Sequence, residues 1–201
     1  MSQFEFFMVF YGLLLGLGVA ELLGGFANIL REQTRPKLGM LTPLLGLIVL
    51  TEMMANFIDA WAKFQDIRIS LPGLGVPMLI GLSYFLVAVI LLPRHFSDWP
   101  SLDDYFARRR NWIVGLLIGA NLLIISLEVT RLNRTMTGGP QANLWSFLAG
   151  NIWLLSSYLV LLLSRRRWLS VVAAVSVLAF YVYFYGFVGI IERAPRLAPS
   201  A

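Results

Sequence analysis

The sequence predicts an all-α polytopic membrane protein with six transmembrane helices, folded as a single transmembrane domain over residues 1–201. Hydrophobic residues make up 58% of the chain and charged residues only 13%. The hydrophobic residues are gathered in six stretches of about 20 residues or more, the length that crosses a hydrocarbon core of about 30 Å at about 1.5 Å per residue. The predicted spans are residues 4–30, 41–64, 74–93, 112–132, 143–164 and 168–191.

The first span carries a stripe of small residues. Gly12, Gly16, Ala20 and Gly24 recur every four residues and therefore share one helix face. Such small-xxx-small stripes let two helix backbones approach closely in membranes. We predict that this stripe is a helix-packing surface, and its partner is either a helix of the same chain or a second copy.

Polar stripes run along the first, second and fourth spans. The second span carries an acid, an amide and an acid at positions i, i+4 and i+7, and the other two each carry an acid and an amide seven residues apart. A charged carboxylate at the bilayer centre costs at least about 2.5 kcal/mol, so such acids usually face a protein interior or a cavity. The predicted ion pathway consists of Glu52, Asp59, Glu21, Glu128, Asn56 and Asn121.

The depth of these acids along their spans suggests how they would act. Glu52 falls near the middle of the membrane, Glu21 toward one side, and Asp59 and Glu128 toward the other. We expect no Lys or Arg deep enough to neutralise them, except that Arg131 can pair with Glu128 at a helix end. Burial disfavours the charged form, so Glu52 can be neutral and exchange a proton. The alternative role is structural, with neutral acids forming hydrogen bonds between helices.

A short interfacial amphipathic helix is predicted between helices 3 and 4, within residues 94–111. Ser101–Asp104 resembles a capping box with Asp in place of Glu, and Arg108–Arg110 suit the negative end of the helix dipole. Trp99 and Trp112 suit the lipid headgroup region. We interpret this segment as a membrane anchor. The alternative is a binding site for anionic lipid or for a partner's acidic tail.

The sixth span contains Tyr181, Tyr183 and Tyr185. Tyr181 and Tyr185 are four residues apart and can share a face that looks inward. Tyrosine is also enriched where helices meet the membrane surface, so interfacial anchoring is the competing interpretation for Tyr183 and Tyr185.

The basic residues predict the orientation. The loops after spans one, three and five hold ten of the 16 Lys and Arg residues, and the opposite side holds six. Positively charged loops favour the cytoplasm, so both termini are expected outside it, in a bacterial inner membrane. These loops also account for the net charge of +5 without a nucleic-acid partner. The expected partners are membrane lipid and either further copies of the chain or other subunits of a membrane complex.

Several kinds of site are not expected. The chain has no cysteine and a single histidine, so we predict no metal site and no cofactor. It also lacks the motifs of zinc proteases, α/β-hydrolases and phosphate-binding loops, so no catalytic residue is predicted. An intramembrane enzyme would need two converging acids, for which Glu21 and Glu52 are the candidates.

The polar stripes favour a proton or small-cation channel or transport component that uses intramembrane carboxylates. The alternative is a non-catalytic membrane subunit that scaffolds or stabilises a larger membrane complex. In that case the acids would form interhelical hydrogen bonds, and the glycine stripe would be a docking face.

Overall fold

A computed structural model of the chain describes residues 2–31, 37–65, 71–95, 98–135, 142–164 and 166–188. In these ranges the chain forms six α-helices, and the sixth continues as a π-helix over Val182–Val188. The α-helices are α1 (Gln3–Arg31), α2 (Leu41–Lys63), α3 (Leu71–Leu91), α4 (Leu102–Thr135), α5 (Ala142–Leu163) and α6 (Arg167–Tyr181).

The helices have the length and composition of membrane spans. Among the described residues, five helices are long and apolar enough to cross a membrane, and the apolar part of α5 is shorter, at Leu148–Leu163. The five cover Gln3–Arg31, Leu41–Lys63, Gly73–Leu91, Leu102–Thr130 and Arg167–Gly186. Each predicted span falls on one helix, although α4 begins ten residues before its predicted span, and residues 189–191 of the sixth predicted span lie outside the described residues. The chain is an all-α polytopic membrane protein, as predicted.

The predicted amphipathic segment is helical, but it forms the first turns of α4 and is not a separate helix. The helix is continuous because no glycine or proline interrupts it between Ser101 and Gly115. Its start is capped as predicted: the Asp104 backbone N–H donates to Ser101 Oγ at 3.1 Å, and this hydroxyl donates to Asp104 Oδ2 at 2.6 Å. The Tyr105 hydroxyl then attaches α4 to α3 by donating to the Ile90 carbonyl at 2.8 Å.

The connections that follow α1, α3 and α5 meet at one end of the bundle. Lys37 forms an isolated β-bridge with Ser101, and Arg167 contacts Asp104 at 2.7 Å. We call this the arginine-rich end, since most of the basic residues in the described chain lie there. They are Arg31, Lys37, Arg94, Arg108, Arg109, Arg110, Arg166 and Arg167. The helices α2, α4 and α6 end at the opposite end.

α2 lies at the centre of the bundle. It packs against α1, α3, α4 and α6, and 50% of its most apolar stretch is buried, a larger share than in the other spanning helices of the described chain. Protein therefore surrounds α2 on most sides. As a result, its polar stripe faces other helices, and Glu52 is fully buried.

The predicted small-residue stripe of α1 is largely uncovered by the chain itself. A Cβ at Gly12 would lie 3.2 Å from the ring of Phe57, but a Cβ at Gly16 or Gly24 would meet nothing within 4 Å. Ala20 is also exposed. Close approach inside the chain uses Gly18 instead, where a Cβ would collide with the side chain of Met53. A second copy or another subunit therefore remains a prediction for the stripe.

Candidate functional site

The candidate site is centred on Glu52 in the middle of α2. Its side chain is 0% exposed. The hydroxyl groups of Tyr158 on α5 and Tyr181 on α6 both donate to Glu52 Oε1, the second at 3.0 Å. Two separate helices are thus attached to one carboxylate oxygen of α2. Such charge-assisted or neutral hydrogen bonds compensate for removing the carboxyl group from water.

Further polar groups surround this carboxyl group. Asn56, one turn along α2, donates through Nδ2 to the Glu52 carbonyl at 2.9 Å and to the Tyr84 hydroxyl of α3 at 3.0 Å. Asn121 of α4 is buried and lines one cavity together with Asn56 and Tyr181. All five helices from α2 to α6 therefore contribute a polar side chain to one site. We call it the Glu52 cluster, and it consists of Glu52, Asn56, Tyr84, Asn121, Tyr158 and Tyr181.

The two oxygens of the Glu52 carboxyl group differ in their surroundings. Oε1 accepts both tyrosine hydrogen bonds, whereas Oε2 is buried and has no hydrogen-bond partner among the described residues. A proton bound to Oε2 would leave both hydrogen bonds to Oε1 intact. The carboxyl group can therefore gain and lose a proton without dismantling the tyrosine contacts.

A cavity of about 110 Å³ extends from this cluster between α2, α4, α5 and α6. This volume can hold several water molecules, since about 15 Å³ of such space suffices for one. Asn56, Asn121 and Tyr181 belong both to the Glu52 cluster and to the cavity wall. The other polar residues of the wall lie toward the opposite end of the bundle and are Asp59, Lys63, Glu128, Asn151 and Tyr185.

Lys63 sits between the two acids of the outer part of the cavity. Its Nζ lies 2.6 Å from Asp59 Oδ2 and 3.7 Å from Glu128 Oε2. The expectation that no Lys or Arg lies deep enough to neutralise the acids was therefore wrong for Asp59 and Glu128. Lys63 follows Asp59 by one helical turn, and its long side chain bends back along that face. The described residues do not include the side chain of Arg131, the cation expected to pair with Glu128.

Aromatic rings of the sixth helix line the cavity on one side. Tyr181 and Tyr185 stack with their centroids 5.9 Å apart, and Phe180 and Phe184 stack at 5.6 Å. All four rings border the cavity. The expectation that Tyr181 and Tyr185 share an inward face agrees with this arrangement. Tyr183, between them, is 62% exposed and lies on another face.

An apolar layer closes the cluster toward the arginine-rich end. On the buried face of α2, Leu45, Ile48 and Val49 precede Glu52, and each is 0% exposed. On α4, Ile113 and Leu117 precede Asn121 in the same way and are equally buried. We call these five residues the apolar layer. The polar cavity thus lies between the Glu52 cluster and the opposite end, whereas the apolar layer lies between the cluster and the arginine-rich end.

The structure separates Glu21 from the other predicted pathway residues. Glu21 is exposed on α1 and borders a different groove, of about 230 Å³, together with Asn28 and Arg94. The buried face of α1 carries Tyr11 and Leu22 instead. Glu21 and Glu52 consequently do not converge on one cavity, as a pair of intramembrane catalytic acids would have to do.

Three residues of the site were not predicted from the sequence: Tyr84, Tyr158 and Lys63. Tyr158 lies in the apolar stretch of α5, five residues before the helix ends at Leu163. Tyrosine is common near the ends of membrane helices, so this position gave no distinctive signal. Partners separated by 106 residues, as Tyr158 and Glu52 are, leave no local pattern.

No protein family matches this chain, and neither a curated protein nor a solved structure is significantly similar to it.

Proposed function

We propose that this membrane protein is a proton or small-cation transport component, with the Glu52 cluster as its ion site. The observation that supports the proposal is a fully buried carboxyl group held by two tyrosine hydroxyls, one of which, from Tyr181, also lines a polar cavity. Ionisable residues inside membrane proteins usually mark ion or proton routes.

The residues at the outer part of the cavity favour a cation over an anion. Among the described residues that line the cavity, Asp59 and Glu128 supply two carboxylates and Lys63 one ammonium group, so the formal charge of this lining is negative. Asp59 and Lys63 are 32% and 29% exposed, so this part of the cavity reaches the surface. A net negative charge in a cleft raises the local concentration of cations.

The inner end of the cavity is suited to accept a proton. Tyr181 lines the cavity and donates to the Glu52 carboxyl group, whose Oε2 can take a proton without loss of the tyrosine contacts. The apolar layer then prevents passage to the arginine-rich end in this conformation. Transport therefore requires a rearrangement of that layer, and we propose a gated route rather than an open pore.

The proposed orientation follows from the basic residues. The arginine-rich end would face the cytoplasm of a bacterial inner membrane, so the cavity would take up its ion from outside. Both termini would then lie outside the cytoplasm.

The test is a flux assay in liposomes that contain a pH dye, with a membrane potential set by potassium and valinomycin. Glu52→Gln keeps the size of the side chain but cannot titrate, and we expect it to abolish the flux carried by the wild type. Glu21→Gln is the matched control, because Glu21 is an acid of the same bundle outside the cavity, and it should retain flux. Equal flux in both variants, or none from the folded wild type, would contradict the proposal.

A second candidate function is scaffolding of a larger membrane complex, favoured by the uncovered stripe at Gly16, Ala20 and Gly24. A Cβ at Gly16 would meet no atom of the chain within 4 Å, so we expect the Gly16→Leu variant to fold. If the stripe docks a second copy or another subunit, Gly16→Leu should dissociate the assembly in size-exclusion chromatography. Unchanged assembly would argue against this role.

A further inference from the structure

Two grooves meet at Trp112, where α4 enters the membrane near the arginine-rich end. The first has a volume of about 440 Å³ and is bordered by Arg94, His95 and Arg109, with Asp98 also on its wall. Trp99 forms another part of this wall, and the guanidinium of Arg108 lies over its ring at 5.4 Å. The groove therefore combines exposed guanidinium groups with tryptophan rings, as sites at the membrane surface do.

The second groove runs along α4 into the membrane. It has a volume of about 590 Å³, and its wall on α4 extends from Asn111 to Ser126, with Ser83 of α3 on the other side. A Cβ at Gly115 or Gly119 would meet nothing within 4 Å, so the missing side chains leave this groove open. The stretch rises by about 22 Å, which exceeds half of a hydrocarbon core of about 30 Å.

We propose that these two grooves form one binding site for an anionic phospholipid. The phosphate and headgroup would lie between Arg94 and Arg109, and one acyl chain would lie along Gly115 and Gly119. Trp112 lines both grooves, so they adjoin at its side chain. The inference is independent of the proposed ion transport, because none of these residues belongs to the Glu52 cluster or its cavity.

Charge and depth both favour this ligand. Arginine side chains bind a phosphate through paired N–H donors. A headgroup with a net negative charge should therefore be attracted to Arg94 and Arg109 more strongly than a headgroup without net charge. Anionic lipids are enriched in the cytoplasmic leaflet, where the arginine-rich end is proposed to lie. The second groove begins at this level and covers the depth of one leaflet.

The experiment measures lipid binding to the purified protein by native mass spectrometry, with phosphatidylglycerol and phosphatidylcholine of identical acyl chains as probes. We expect the wild type to bind phosphatidylglycerol more tightly. Arg94→Gln combined with Arg109→Gln should weaken phosphatidylglycerol binding by about 30-fold and change phosphatidylcholine binding little. Inorganic phosphate at millimolar concentration should not compete, since it lacks the acyl chain.

The groove itself is tested by Gly119→Leu, which should weaken the binding of both lipids. Gly75→Leu is the matched control, because Gly75 is also a helical glycine with nothing within 4 Å but lies outside the groove. A thermal shift of the wild-type protein by each lipid gives a readout that needs no variant. Equal affinity for the two lipids, or equal binding by the Gly119→Leu and Gly75→Leu variants, would overturn the proposal.

Discussion

The hydroxyl group of Tyr158 on α5 donates a hydrogen bond to the Glu52 carboxyl group on α2, and both side chains are 0% exposed. This contact joins two helices that are distant along the chain at the centre of the bundle. Tyr158→Phe removes the donor and almost nothing else. We expect the variant to lose about 1 to 3 kcal/mol of unfolding free energy, because a buried acceptor loses one partner.

The measurement is thermal unfolding in detergent, followed by circular dichroism. Tyr183→Phe is the matched control, since Tyr183 is 62% exposed and should tolerate the loss of its hydroxyl. A Tyr158→Phe variant as stable as Tyr183→Phe would show that the contact contributes little.

Two substitutions of Glu52 test whether the side chain stabilises the bundle as a hydrogen-bond acceptor. Glu52→Gln retains a carbonyl oxygen that accepts from Tyr158 and Tyr181, whereas Glu52→Leu leaves both buried hydroxyls without this acceptor. We expect Glu52→Leu to be the less stable variant by about 1 to 3 kcal/mol for each hydroxyl left unsatisfied. Chemical unfolding of both variants checks the difference, and a more stable Glu52→Leu would contradict the proposed hydrogen-bond geometry.

Lys63 controls the charge of the outer part of the cavity. Lys63→Met keeps the length of the side chain and makes the charge there more negative by one unit, because the Asp59 and Glu128 carboxylates remain. If the cavity takes up a cation, half-maximal flux should require up to about tenfold less cation at low salt. The difference should shrink at high ionic strength, because salt screens charges near the surface.

Lys63→Arg keeps the charge and is the matched control for this change. Both variants should unfold within about 1 kcal/mol of the wild type, as expected for a partly exposed ion pair. A flux that does not depend on the charge at position 63 would place the cation route elsewhere.

Gly39 in the connection before α2 should resist substitution. Its φ of +65° is a left-handed conformation, and a Cβ there would overlap the Asp103 carboxylate at the start of α4. Gly39→Ala should cost about 1 to 3 kcal/mol of unfolding free energy. Gly75→Ala in α3, which meets no neighbour, should instead stabilise the helix by up to about 1 kcal/mol. Equal melting temperatures would contradict the described docking of this connection.

Helix positions in this protein follow closely from the sequence, because crossing a bilayer depends on local length and hydropathy. The stripe of Glu52, Asn56 and Asp59 also followed from its helical period, and it does face the interior. The rotation of α1 about its own axis could not be predicted from the sequence. An apolar helix can bury either face, and packing against Met53 and Leu92 through Gly18 and Gly25, rather than the small-residue stripe, decides which one is buried.

The apolar layer has a consequence for the membrane potential. If the cavity is filled with water, it would carry the potential of its own side of the membrane inward toward the Glu52 cluster, and most of the voltage would fall across the layer of Leu45, Ile48 and Val49. From Thr42 to Glu52, α2 rises about 15 Å, roughly half of the hydrocarbon core. One elementary charge crossing 100 mV changes in energy by about 2.3 kcal/mol. Protonation of Glu52 from the cavity should therefore depend weakly on voltage, and passage of the charge through the layer should depend on it strongly.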